Sequence, residues 1–300
     1  MISIPEVLRN HAVAAAQTRW LAELPSLVEH LEHAWGLHVG RPFATATEAF
    51  VAEATTHGGR PAVVKVLVPT SANRARHEIT ALRLADGHGA VALLQAEPEL
   101  GALLLERLGP PLFDLGLPIV RRHEILCDTA SRFWRPAPEC GLPTGADRAR
   151  RLATYVTESW ERLDRPCSER AVEDAVTCAS RRAAAHDDER AVLVHGDVHQ
   201  LNTLQAGAGF KLIDPDRLLA EPEYDLGTVM RGDPVELLQG EPQERARRLA
   251  ARTGRDATAV WEWGVLERVV SGLHCTRIGL QPLGRQTLAA ADAVAGHDMR

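Results

Sequence analysis

Within VLVHGDVHQLNTLQ (residues 192–205), the apolar run Val192-Leu193-Val194 stops at His195-Gly196-Asp197, and His199 and Asn202 follow. Groups able to bind metals or move protons are thus concentrated directly after a strand-like segment. Two chemistries use such groups. If the segment stayed extended, His195, Asp197 and His199 would share one face, as metal ligands of a hydrolase do. Such a site usually draws further ligands from elsewhere, and the other eleven histidines show no second clustered pattern. A metal-dependent hydrolase is therefore the weaker alternative.

Phosphoryl transfer accounts for more residues. It needs a carboxylate to orient and deprotonate a hydroxyl, oxygen ligands for Mg²⁺, and a cation on the nucleotide phosphates. Asp197 precedes Asn202 by five positions, and a short strand later comes Ile213-Asp214-Pro215. Protein kinases place a catalytic Asp, a metal-binding Asn and a second metal-binding Asp in that order and with that first spacing. Upstream, Ala62-Val63-Val64-Lys65 has the form of the kinase strand that carries a phosphate-binding lysine, and Glu78 follows where its ion-pair partner should lie. Of 34 basic residues only Lys65 and Lys211 are lysines. A lysine kept where arginine is the habit marks a position that wants a compact ammonium. For Lys211 chance is an adequate explanation.

These residues need elements to hold them. Leu21, Leu24, Leu27, Val28, Leu31 and Trp35 have helical spacing over residues 5–35, with a break expected at Pro25-Ser26. LHVGRPF, AFVAEATT and PAVVKVLVP read as strands, the last two joined by a turn at HGGR. SANRARHEITALRLADGHG is helical, and VALLQAEPE with GALLLERL forms a strand pair. Beyond Gly109-Pro110-Pro111 the pattern is mostly helical: PIVRRHEILCDTASRFWR, ADRARRLATYVTESWERL and ERAVEDAVTCASRRAAA, punctuated by RPAPECGLPTG, with FKLIDP as a further short strand. The expected organisation is α+β: a nucleotide-binding lobe with leading helices over 1–108, and a helical catalytic and substrate lobe over 109–300. A cleft where two lobes are joined by one strand is a usual place for a ligand.

HGDVHQLN followed by IDPDRLLAEPEYDLG closely resembles the aminoglycoside phosphotransferase family of the kinase-like fold, and within it the streptomycin 6-phosphotransferase and hydroxyurea kinase branch. LPSLVEHLEHAWGLHVG and LLLERLG fit the same branch, and the resemblance covers roughly residues 20–280. It implies a bilobal protein-kinase-like fold and ATP with Mg²⁺ as cofactors. Asp197 is then the base or hydroxyl-orienting group, and His199 touches a phosphate or orients Asp197. Asn202 and Asp214 are the Mg²⁺ ligands. Lys65 contacts the phosphates, steadied by Glu78, while Glu106 to Leu108 offer backbone groups to the adenine edge. His195 braces the loop, and Asp225 of EYDLG accepts from its backbone. One departure concerns Ala44-Thr45-Ala46-Thr47-Glu48, the expected nucleotide loop, which contains no glycine. Thr45 and Thr47 hydroxyls or amides would serve the phosphates instead, and the choice of ATP over GTP stays open.

Composition bounds the partners. A formal charge of −6 with no basic stripe excludes nucleic acid as an expected partner. No apolar run of membrane-spanning length is present, and the opening MISIPEVLRNHAVAAAQTRW lacks the form of a signal peptide, so a cytoplasmic location is expected. The five scattered cysteines, with no CxxC, read as reduced thiols. The expected partner is a small-molecule acceptor, cationic in the leading reading, bound by a monomer or weak dimer, with Glu223, Asp233, Glu236, Glu262 and Glu267 as candidates for lining its pocket. A streptomycin-like acceptor leads. Hydroxyurea or another hydroxylated metabolite is the alternative, and from another class, a catalytically silent nucleotide-binding protein.

Overall fold

Period-two burial organises the N-terminal unit, Met1–Gly109, of a computed structural model that describes residues 2–71, 73–137 and 140–299. Pro138 and Glu139 of the RPAPECGLPTG stretch, and Ala72 of the SANRARHEITALRLADGHG stretch, lie outside the described residues. Strands β1 (Leu37–Pro42), β2 (Ala49–Thr56), β3 (Pro61–Leu67), β4 (Leu93–Glu97) and β5 (Ala102–Glu106) form one antiparallel sheet in the order β1-β2-β3-β5-β4. On β3, Ala62, Val64 and Val66 face a core shared with Leu24, Val28 and Leu31. The alternate positions, Lys65 among them, project from the other face.

Two helices, α1 (Glu6–Ala14) and α2 (Thr18–Trp35), precede the sheet. The expected break at Pro25 does not occur, because α2 runs through it and the chain instead turns at Ala16, whose φ is +57°. Pro25 forfeits one helical hydrogen bond, but the apolar stripe Leu21, Leu24, Val28 and Leu31 is buried, and tertiary packing overrides local propensity. Helix α3 (Arg74–Ala85) follows β3 and buries Glu78, Ile79 and Leu82.

The second unit, Pro110–Arg300, is mostly helical. Helices α4 (Ile119–Phe133), α5 (Gly145–Arg162) and α6 (Glu169–Ala184) lead into β6 (Val192–Val194), the hairpin β7 (Thr203–Ala206) with β8 (Gly209–Leu212), and β9 (Leu218–Ala220), which pairs antiparallel with β6. Helices α7 (Glu223–Met230), α8 (Pro234–Leu237), α9 (Pro242–Thr253), α10 (Ala257–Arg277) and α11 (Leu283–Val294) complete it. Helix α10 is apolar on nearly every side, which fits a central helix. Its Trp263, Leu266, Val269 and Leu273 sit in the core with Val156, Ala175 and Tyr224. A Cβ on Gly227 would lie 2.3 Å from that of Trp263, so only glycine lets α7 approach α10 this closely. Among the described residues no helix is long and apolar enough to cross a membrane, and all five cysteines are free thiols.

Candidate active site

The loop from His195 to Asn202 links β6 to β7, and backbone hydrogen bonds fix its ends. Asp216 N–H donates to His195 O at 2.6 Å, and Ile213 N–H donates to Asn202 O at 2.9 Å. Gly196 adopts φ +86°, and a Cβ there would come within 2.8 Å of Asp216 Cβ, so this glycine is required twice over. The loop amides need acceptors. Asp225, fully buried on α7, takes His195 N–H at 2.9 Å and Gly196 N–H at 2.7 Å on its two oxygens, and the Trp134 indole N–H at 2.8 Å. Burial raises its carboxyl from the ordinary value, against the pull of His195 and these donors. Thr228, one turn on, accepts Val198 N–H at 3.0 Å.

His195 braces the loop from both ring nitrogens. Nδ1 accepts Asp197 N–H at 3.3 Å, so Nε2 carries the proton and donates to Ile213 O at 2.8 Å. Neither nitrogen is left for a metal, and the alternation suited to a hydrolytic cluster is lost because the segment is a turn, not a strand. Among the described residues no group of three or more His, Cys, Asp or Glu side chains is placed to hold a metal ion.

Asp197, His199 and Asn202 come together. Asp197 Oδ2 accepts from His199 Nε2 at 3.2 Å and from the Asn202 amide at 3.1 Å, while Leu201 N–H occupies His199 Nδ1. Asp197 Oδ1 is ion-paired with Arg231. A carboxylate offers about four acceptor positions, and three are filled, which leaves room for one hydroxyl. The side chain is 36% exposed and reaches solvent. Crowding by protein works to raise the Asp197 carboxyl, yet the Arg231 guanidinium and His199 outweigh it and hold it well below the usual carboxylate range. The Asn202 nitrogen is committed to Asp197, so its carbonyl oxygen is the atom available to a cation. Asp214, immediately after Ile213, is exposed and sits at φ +58°. One carboxylate, one amide oxygen and substrate phosphates make a donor set that suits Mg²⁺, which seldom has an all-protein cage.

In the first unit, Lys65 Nζ donates to Glu78 Oε1 at 2.5 Å, with both side chains buried. Removing Lys65 would strand the buried Glu78 charge. Thr45 and Thr47 are exposed in the β1–β2 connection. Glu106 ends β5, its carboxylate accepting Ala92 N–H at 2.7 Å, and Leu108 follows half-buried.

Sequence reasoning missed Arg231, Trp134 and Thr228. Arg231 left a faint mark as the charge that closes the run LGTVM, whereas nothing near Trp134 signals its role. Of the five acidic pocket candidates, Glu262 and Glu267 are buried against arginines and Asp233 is held by Arg122 and His123. Glu223 accepts Asp256 N–H, and Glu236 is exposed. Replacing Asp225 by Ala should strand three buried donors and lower stability by about 3–5 kcal/mol. A melting point falling by roughly 6–20 °C would register it, and an unchanged melting point would refute the pinning role.

Comparison with known proteins bears on the family and the fold. The model of the family described as "Aminoglycoside/hydroxyurea antibiotic resistance kinase" matches residues 36–276. A streptomycin 6-kinase of Streptomyces glaucescens is 28% identical over 99% of this chain and 98% of its own length. A hydroxyurea phosphotransferase of Kitasatospora aureofaciens is 31% identical over 71% of this chain and 62% of its own length. Among solved structures, a thermostable mutant of aminoglycoside phosphotransferase APH(4)-Ia in ternary complex with ADP and hygromycin B superposes with a TM-score of 0.60 at 16% identity, covering 90% of this chain and 99% of that one. Choline kinase LicA from Streptococcus pneumoniae gives a TM-score of 0.60 at 12% identity, covering 92% of this chain and 100% of that one. The fold is protein-kinase-like, with a β-sheet N-terminal part and a helical C-terminal part.

Proposed function

The chain belongs to the aminoglycoside/hydroxyurea antibiotic resistance kinase family, and we propose that it transfers the γ-phosphoryl group of ATP to a hydroxyl of a streptomycin-like aminoglycoside. That it is a phosphotransferase acting on a hydroxylated small molecule follows from its family and relatives. The observation that carries the mechanism is the Asp197 carboxylate, held by Arg231, His199 and Asn202 with one acceptor position open. A substrate hydroxyl donating there is oriented for in-line attack, and its proton passes to Asp197 as the new O–P bond forms and the bond from the γ-phosphorus to the β–γ bridging oxygen breaks, releasing ADP. The low basicity of Asp197 suits orientation and late proton transfer better than early abstraction. Asn202 and Asp214 would supply oxygen ligands for Mg²⁺, which when bound would neutralise phosphate charge. Lys65, kept in place by Glu78, serves the nucleotide phosphates. Thr45 and Thr47 serve the same phosphates, and Glu106 to Leu108 the adenine edge. The ADP complex of the aminoglycoside phosphotransferase neighbour supports nucleotide use.

The near-complete overlap with the streptomycin 6-kinase favours a streptomycin-like acceptor over hydroxyurea, whose phosphotransferase aligns over a smaller share. ATP consumption measured with streptomycin, other aminoglycosides, hydroxyurea and simple sugars tests this directly. Streptomycin should stimulate turnover at least tenfold over the acceptor-free rate. A response to hydroxyurea alone would overturn the acceptor while leaving the phosphotransferase assignment intact.

A further inference from the structure

A continuous chain of polar contacts, buried at its Tyr224–Glu267 centre, leaves Asp197 and returns to the segment that carries Asp214. Arg231 is paired with Asp197 on one side, and on the other donates to Glu267 Oε2 at 2.8 Å. Glu267 Oε1 accepts the Tyr224 hydroxyl proton at 2.6 Å. That same hydroxyl accepts from Arg148 Nε at 2.8 Å, so it donates and accepts at once. Arg148 then closes on the Asp216 carboxylate at 2.6 Å. Glu267 is 1% exposed and Tyr224 is fully buried, so water cannot replace either of them, whereas the Arg148 and Asp216 side chains are 25% and 28% exposed. The chain joins α5, α7 and α10 to the loop after β8, elements far apart in sequence, and each link is complementary in charge or in donor and acceptor. The backbone around Arg231 is fixed as well, with Arg268 donating to Met230 O at 2.9 Å and Arg245 to Gly232 O at 2.7 Å.

Resting on the phosphotransferase reading above, we propose that Glu267, Tyr224 and Arg148 are positioning residues that set the Asp197 loop and the Asp214–Asp216 segment as one unit. Glu267 and Arg231 hold the hydroxyl-orienting carboxylate, and Arg148 holds the segment of the cation-binding carboxylate. Tyr224 makes the two adjustments interdependent. A polar network of this kind acts as a whole, because every member is satisfied only while its neighbours are in place.

The experiment compares Tyr224→Phe, Glu267→Gln and Arg148→Met, singly and in pairs, by kcat, acceptor KM and amide hydrogen exchange of peptides covering residues 195–202 and 214–220. Each single variant should lower kcat by roughly tenfold to a hundredfold, since a misplacement of about 1 Å costs on that scale. Acceptor KM should change less than about threefold, because binding contacts are untouched. The Glu267→Gln/Arg148→Met double variant should be no slower than its slower parent. Exchange should rise in both segments whichever residue is changed. Where Glu267→Gln does not fold, the Tyr224→Phe/Arg148→Met pair gives the same comparison, with the Tyr224 ring still packed edge-on against Trp263. Multiplying kcat losses, or exchange that rises only beside the altered residue, overturns the proposal. If the native protein turns over no acceptor, the phosphotransferase mechanism fails, and the exchange pattern still decides whether the two segments are coupled.

Discussion

Asp197→Asn lowers kcat by roughly 10²–10⁴-fold, the range for removing a general acid–base group, while nucleotide affinity measured by calorimetry stays within about twofold. The substitution preserves shape, so the contacts with His199 and Asn202 can re-form in part, and the loss reports the carboxylate itself. What goes is the anion that balances Arg231 and that is proposed to receive the hydroxyl proton. Because Arg231 and His199 hold the Asp197 carboxyl well below the usual range, it stays ionised throughout the ordinary carboxylate window. Its stabilising effect is therefore present above the unfolded-state value and is lost only as pH falls through the lower folded value. The native kcat profile should accordingly show no acid limb from Asp197 between pH 5 and 8, taken as roughly the range above any depressed carboxylate. Near-native turnover in the Asn variant would sink the assignment.

How far the site was legible depends on how local each signal is. The HGDVHQLN spacing and Lys65 on an apolar strand were readable because a turn and a strand each confine their chemistry to a few adjacent positions. Glu78 was readable because the next helix had to cover the face of β3 from which Lys65 projects. Arg231, Tyr224, Glu267 and Arg148 were not. Their partners lie 34 to 76 positions away, and on a helix a buried Glu looks the same in sequence as a solvated one. For that reason Glu262 and Glu267 stand in the sequence only as candidate pocket carboxylates, and both are spent on internal arginines. The short strand β9 escaped notice for a different reason: three residues are too few to show alternation. At Pro25 a local rule was applied correctly and lost to burial of the helix face.

Asp214→Ala should abolish phosphoryl transfer, and raising Mg²⁺ should not restore it. Asp214 is exposed and stands at φ +58°, a left-handed conformation that costs a non-glycine residue on the order of 1 kcal/mol or more. Asp tolerates this region better than most residues, and such strain tends to persist where the side chain is needed in that direction. The Asn202 nitrogen is tied to Asp197, so Asn202 brings a neutral oxygen alone. In the proposed cation site Asp214 would therefore carry the charge of the donor set, and an anionic oxygen holds a hard cation more strongly than an amide oxygen. Asp214→Asn keeps an oxygen and should regain part of its activity at high Mg²⁺, whereas the Ala variant should stay below roughly 0.1% of native turnover, a loss of at least about 4 kcal/mol in transition-state stabilisation. Chelation with EDTA should stop the native enzyme and Mg²⁺ should restart it. Rescue by Zn²⁺ but not Mg²⁺ would return the metal-hydrolase reading, and full activity in Asp214→Ala at any Mg²⁺ concentration would remove Asp214 from the cation site.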